Sequence, residues 1–323
     1  MSSILGHDSA MQRFLRGMRE SSLHHAWLLY GPQGIGKATL ARAMAAAYLC
    51  EKNQKDENAG SACGDCHNCH MLAAESHPDF LYVERELDRQ GKKKKRDISV
   101  DQARGLLSFL SLCGAESMRR VVLLDEAELL NKHAANALLK GLEEPQPGSL
   151  LLIVCDDIMR LPATTRSRCM LERLSPLNEE ACAQVLRDMG LTGESLEMGK
   201  ALAAGRPGCV ISLQDEAVTE ALLQWRQLTR DLMRSDIGAI QDWLSAKVSL
   251  VPHHLVVAVI LEGLYKHMQR PSAFAAHDAL MKAAWALAAW PERVARHSLR
   301  AGPALLAHML GLRIALRETQ STS

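Results

Sequence analysis

Over the first 170 or so residues, short apolar runs alternate with longer stretches of helical period. The runs lie at Ala26–Tyr30, Asp79–Val83, Val121–Asp125 and Leu150–Cys155, with a shorter one near Met170–Arg173. Unbroken apolar character, without polar alternation, is what strands buried on both faces require. Such strands separated by helical stretches predict a parallel sheet with crossover helices, an α/β domain.

From Asn178 onward the strand signal stops and apolar residues recur at helical spacing. Asn178 is placed to cap a helix beginning Glu179-Glu180, because its side chain can accept from an orphan N–H of the first turn. Arg206-Pro207-Gly208 interrupts the second helix of a small helical unit. Amphipathic helices are then predicted at Ala217–Arg234, Ile237–Leu250, His253–Gln269, Ala273–Trp290 and Glu292–Arg317. Pro252, Pro271 and Pro291 fall where helices start, and there a missing N–H costs nothing. The chain therefore divides into an α/β domain at residues 1–175, a helical lid at 176–213 and an all-helical C-terminal domain at 214–323.

Composition adds exclusions. At 323 residues, 47% hydrophobic and 23% charged, the chain has the make-up of a soluble globular protein of two or three domains. No apolar run approaches the roughly 18 residues of a membrane span. The N-terminal segment lacks the basic start and apolar stretch of a secretory signal, so a cytoplasmic location is expected. A net charge of +1 argues against a chain coated in DNA, leaving any DNA contact local or supplied by partners. Nine cysteines without a signal point away from disulfides.

The run Ala26–Tyr30 leads into Gly31-Pro32-Gln33-Gly34-Ile35-Gly36-Lys37-Ala38-Thr39 and an alanine-rich helix. This is G-x-x-x-x-G-K between strand and helix, the setting of a phosphate-binding loop. Gly31, Gly34 and Gly36 let backbone N–H groups converge on phosphate, the helix N-terminus adds positive partial charge, and Lys37 reaches the terminal phosphates. The next position calls for a Ser or Thr hydroxyl to ligate magnesium, and here it is Ala38. Thr39 lies about 100° further round the helix and is no direct substitute. Binding of ATP or ADP is compatible with this pattern; efficient hydrolysis is not. Val121–Leu124 ends in Asp125-Glu126, at the C-terminal edge of a strand, where one acid can organise magnesium and the other polarise water. Alone such an acidic end is common; about 90 residues after the phosphate loop it reads as the second half of the same site.

Cys50, Cys63, Cys66 and Cys69 have the spacing C-x12-C-x2-C-x2-C, enough to close a tetrahedral zinc site within residues 50–70. Four thiolates leave no position for water, so the ion would be structural and would staple a loop poor in apolar residues. Iron–sulfur ligation shares the short spacing but lacks the usual Cys-Pro, and free thiols are the bland alternative. His67 and His70 are spare ligands nearby, while Cys113, Cys155, Cys182 and Cys209 read as core residues.

The blocks His133-Ala134-Ala135-Asn136-Ala137-Leu138-Leu139-Lys140-Gly141-Leu142-Glu143-Glu144-Pro145 and Leu161-Pro162-Ala163-Thr164-Thr165-Arg166-Ser167-Arg168-Cys169 resemble the bacterial clamp loaders of the AAA+ class. The resemblance is specific over roughly residues 5–175 and architectural beyond. It implies a zinc module in the place where the cysteines lie. It also implies a C-terminal collar and a Ser-Arg-Cys arginine, Arg168, that enters the ATP site of a neighbouring subunit. There a guanidinium offsets charge on the departing phosphate; pairing of Arg168 with a local carboxylate is the plainer possibility. The partners implied are gamma/tau and delta clamp-loader subunits, and through them the sliding clamp and primer–template DNA of a DNA polymerase holoenzyme. Relative to the hydrolysing gamma/tau type, Ala38, Cys155 and Gly208 stand where catalytic parts belong, and Pro207 disfavours Arg206 as a replacement. A chain with little ATPase of its own is expected. The rivals are a self-sufficient gamma/tau-like motor and a zinc-dependent DNA-binding module using Lys92–Arg96, a run that reads more simply as a solvated loop. His24 and His25 read as structural, and Trp225, Trp243, Trp285 and Trp290 as core or inter-subunit contacts.

Overall fold

The computed structural model describes residues 4–55, 60–87, 95–112, 119–268, 275–297 and 299–321. Cys113, Pro271 and Lys92–Lys94 fall outside them. The chain forms two compact units, Met1–Ala181 and Cys182–Ser323.

The first unit is built on five strands: β1 (Ala26–Tyr30), β2 (Phe80–Val83), β3 (Arg120–Leu124), β4 (Ser149–Cys155) and β5 (Met170–Arg173). They form one parallel sheet in the order β2-β3-β4-β1-β5. Leu28 of β1 lies opposite Ile153 of β4 and Leu171 of β5, while Leu124 of β3 faces the other side of Ile153. The helices are α1 (Asp8–Arg19), α2 (Lys37–Leu49), α3 (Glu51–Lys55), α4 (His67–Ala73), α5 (Val100–Ser111), α6 (Lys132–Glu143) and α7 (Ala163–Arg166).

Side chains alternate across the strands and so fill two cores. Trp27, Leu29, Val121, Leu123, Leu150 and Leu152 meet Phe14 of α1 and Leu40 and Met44 of α2 on one face. Leu28, Val122, Leu124, Leu151 and Ile153 meet Leu106 of α5 and Leu138 and Leu142 of α6 on the other. Both faces of β1, β3 and β4 are covered, which is why those strands read as unbroken apolar runs; β5, at the sheet's edge, is largely exposed. Ser99 caps α5: its hydroxyl accepts from Gln102 N–H at 3.3 Å, and Gln102 Oε1 accepts from Ser99 N–H at 3.2 Å. Asn131 caps α6 in the same way, accepting from Ala134 N–H at 2.8 Å.

Helix α8 (Glu179–Asp188), capped by Asn178 at 2.8 Å to Ala181 N–H, carries the chain across the boundary. Then follow α9 (Gly193–Ala203), a 3-10 stretch (Pro207–Gln214), α10 (Glu216–Thr229), α11 (Ile237–Lys247), α12 (His253–Met268), α13 (Ala275–Ala288), α14 (Trp290–His297) and α15 (Ala301–Ser321). No strand occurs after β5 among the described residues, and none of their helices is long and apolar enough to cross a membrane. In this unit buried Trp225 and Trp243 stack 4.4 Å between centroids, and their indole N–H groups donate to the Val256 and Ala221 carbonyls respectively.

Three expectations are corrected in this unit. The helix expected to reach Arg234 ends at Thr229, because Arg313 takes the Met233 carbonyl at 2.6 Å and the Ser235 hydroxyl takes that of Leu228, also at 2.6 Å. The single helix expected over 292–317 is two, α14 and α15, with Pro303 in the first turn of the second, where no N–H is needed. Cys209, expected in the core, is half-buried in the 3-10 stretch. Trp285 stands apart from the other three tryptophans of this unit in being 73% exposed.

Candidate functional site

The turn from β1 to α2 uses left-handed backbone at Gly34 (φ +82°) and Gly36 (φ +94°), which only glycine adopts without strain. Gly31 packs so closely on the Leu174 carbonyl that a Cβ would collide with it. Buried His7 fastens the loop from outside, its Nε2 lying 2.7 Å from the Ile35 carbonyl oxygen. Lys37 opens α2 with its side chain 4% exposed, and Nζ donates to the carbonyls of Gly31 and Pro32, both at 2.8 Å. Its third contact is ionic, to Asp156 Oδ1 at 2.6 Å. Ala38 follows with no oxygen to offer, and Thr39 is exposed on the next position round the helix.

Sheet order dictates what faces this loop. Because β4 lies between β1 and β3, the residues after β4 emerge between the phosphate loop and the acidic end of β3. Asp125 Oδ2 accepts from the Tyr82 hydroxyl at 3.0 Å, and its Oδ1 accepts from Glu126 N–H at 2.8 Å. Burial first, then the neighbouring Asp125 carboxylate, pushes the Tyr82 phenol well above its ordinary range, so it stays a donor. Glu126 sits in left-handed backbone (φ +51°), and both carboxylate oxygens are taken by Arg85 at 2.7 and 2.8 Å. A glutamate held in a guanidinium fork is a poor acceptor for a proton from water. Cys155, at the end of β4, is buried and its thiol is pushed up to about 12 by desolvation; it packs as a neutral group.

Arg168 follows α7 on the surface. Its Nη1 donates to the Thr164 carbonyl at 2.9 Å and its Nη2 lies 2.7 Å from Glu143 Oε1 at the end of α6. The plainer alternative, a local carboxylate partner, is therefore present. Both side chains are exposed enough, at 36% and 50%, for the pair to be worth little. Ser167 donates to the Thr164 carbonyl and orients the turn; Cys169 donates to the Thr165 carbonyl and packs against the α5/α6 core.

The sulfur atoms of Cys50, Cys63, Cys66 and Cys69 all lie within 4.8 Å of one another. Cys50 follows the last residue of α2, Cys66 directly precedes α4, and left-handed Gly64 (φ +81°) turns the loop between Cys63 and Cys66. The Cys50–Cys66 and Cys63–Cys69 separations are 4.0 and 3.9 Å. A disulfide needs about 2.05 Å. Four thiolates about 2.3 Å from a central ion stand about 3.8 Å apart at the corners of a tetrahedron. The donor set and its geometry fit a tetrahedral soft-metal site. A backbone N–H of Asp65 holds the Cys63 thiol down at about 6, while burial raises that of Cys69. Asn68 ties the module to α2 through the Leu49 carbonyl at 2.9 Å, and Asn53 bridges Ala47 and Gly60. His67 and His70 are exposed and outside the cluster.

The remaining candidates lie elsewhere. His24 and His25 stack at 4.5 Å at the start of β1, the opposite end from the phosphate loop, and His25 binds the Leu142 carbonyl. Lys95, from the basic run, pairs with Glu86. Sequence reasoning missed His7, Arg85, Tyr82 and Asp156. Each is defined by a partner far along the chain, and no local spacing marks them.

Residues 6–178 match the protein family described as DNA polymerase III, delta subunit. A DNA polymerase III subunit delta′ of Pseudomonas aeruginosa is 37% identical over 235 residues, 70% of this chain and 68% of that one. The DNA polymerase III subunit tau/gamma of Haemophilus influenzae is 28% identical over 257 residues, which is 77% of this chain but 35% of the relative. Among solved structures, a DNA polymerase III gamma subunit-related protein of Thermotoga maritima superposes with a TM-score of 0.53 at 12% identity, covering 94% of this chain and 99% of that one.

Proposed function

The chain belongs to the family of DNA polymerase III delta′ subunits, and we propose that it works as a clamp-loader subunit that lends chemistry to a neighbour and performs little of its own. In this reading it sits in a cytoplasmic hetero-oligomer with gamma/tau-type and delta-type subunits. That assembly opens a sliding clamp and places it on primed DNA.

The observation that carries the reading is Ala38. The position beside the phosphate-loop lysine has no oxygen for magnesium, and Thr39 is turned to solvent. Without that ligand the metal that bridges the β- and γ-phosphates is held less firmly. The Arg85–Glu126 fork supports the same conclusion, since the carboxylate suited to polarising water is neutralised in place.

Arg168 is the group lent out. Its partner Glu143 is half-exposed, so exchanging that contact for the γ-phosphate of a neighbouring ATP costs little and gains a full charge interaction. Zinc is the ion for Cys50, Cys63, Cys66 and Cys69: four thiolates at tetrahedral spacing close the site to water and give it a structural role. Residues 176–213 act as a lid and 214–323 as a collar. Exposed Tyr265, Met281 and Trp285 supply apolar surface for sister subunits.

Assembly tests this reading. Mixed with gamma/tau-type and delta-type subunits, the chain is expected to elute as one hetero-oligomer on size exclusion. Elution apart from them at micromolar concentration would overturn it.

A further inference from the structure

The sequence reading treats Ala38 as the defect of the phosphate loop; the geometry adds a second and stronger one. Asp156 is the first residue past β4, and its N–H donates to Glu128 Oε2 at 3.1 Å, which fixes its position at the sheet edge. Its Oδ1 stands 2.6 Å from Lys37 Nζ. An ammonium has three hydrogens, and Lys37 directs its three to Asp156, Gly31 and Pro32. A phosphate oxygen that reaches Lys37 must take one of those places. Only Asp156 is an anion, and it repels a phosphate approaching the same nitrogen across a short gap.

We infer that Asp156 is the residue that decides whether this cradle accepts phosphate: its carboxylate serves as the resident counter-ion of Lys37, so a polyphosphate or nucleotide binds only by displacing it. Lys37 is almost wholly buried and needs a counter-charge, because a buried cation left unpaired is strongly unfavourable. Asp156 supplies that charge from within the chain. A subunit built this way keeps an ordered phosphate loop without a nucleotide to order it. The two defects are separable, with Ala38 governing magnesium and Asp156 governing the anion. The inference rests on the reading of a pocket without turnover, and its test measures binding, leaving both hydrolysis and Arg168 out of the readout.

The full chain and its Asp156→Asn variant would be titrated with a fluorescent ADP analogue and with tripolyphosphate, in the absence of magnesium. Asp156→Asn is expected to bind both at least about tenfold more tightly than the unaltered chain. Tripolyphosphate should also raise its thermal midpoint while leaving that of the unaltered chain in place. Asp157→Asn is the control: Asp157 caps the following turn through Met159 N–H at 3.0 Å, and its substitution should leave binding as it was. Equal binding by the unaltered chain and Asp156→Asn would overturn the inference, as would an equal gain from Ala38→Thr alone. If Asp156→Asn does not fold, Asp156→Ser takes its place in the same titrations. Failure of both to fold would make the carboxylate a support of the fold and would equally overturn its role as a gate.

Discussion

Replacing Arg168 with alanine is expected to lower ATP hydrolysis at the neighbouring active site about a thousandfold, the lower end of what a trans-acting arginine contributes. In a reconstituted complex the readout is loss of that site's share of steady-state turnover. Stability should not move: the Arg168–Glu143 pair is partly exposed on both sides, and such pairs contribute at most about 1 kcal/mol. Arg168→Lys should rescue poorly, because an ammonium keeps the charge without the planar fork that meets two phosphate oxygens. Glu143→Gln should leave turnover intact or raise it slightly, since it frees the guanidinium in advance. Unchanged hydrolysis in a complex that incorporates Arg168→Ala would reduce the pair with Glu143 to a surface contact and remove the finger from the account.

Removing the metal is expected to be the largest stability effect. The purified chain should carry one zinc, released by a mercurial reagent and counted with a chromogenic chelator. A bound ion would tie Cys50, which follows α2, to Cys63, Cys66 and Cys69 across a stretch with almost no apolar side chains. Cross-linking a loop of about 15 residues stabilises by about 3 kcal/mol. For a unit of this size that corresponds to a fall of about 6–12 °C in thermal midpoint on chelation or in Cys69→Ser. The change should be local, with exchange protection lost over α4 and kept in β1, β3 and β4, because this module gives the sheet cores only the partly buried Leu72, against one of them. Metal-free protein with an unaltered midpoint, or purified protein without zinc, would contradict the assignment.

The strands were legible within a residue or two because parallel strands covered on both faces must be apolar throughout, and Val121–Leu124 or Leu150–Cys155 admit no other periodicity. The phosphate loop and the cysteine cluster were legible because their chemistry is written in local spacing. What escaped depends on contacts between distant residues. Arg313 shortening α10, Arg85 capturing Glu126 across 41 positions and Asp156 reaching back to Lys37 have no signature in sequence order. The break between α14 and α15 is different in kind: Pro303 marks it, but the apolar period runs through the gap and hides it. The residues that set the character of the pocket thus belong to the illegible part, while its ancestry belongs to the legible one.

The most direct test is the steady-state release of phosphate from ATP by the purified chain alone, with magnesium and at saturating nucleotide. Because position 38 offers the ion no ligand and Arg85 holds Glu126, release should stay at the buffer background and be indifferent to Lys37→Ala. Turnover on the order of one per second, as in working enzymes, that disappears in Lys37→Ala would show a self-sufficient motor and contradict the account.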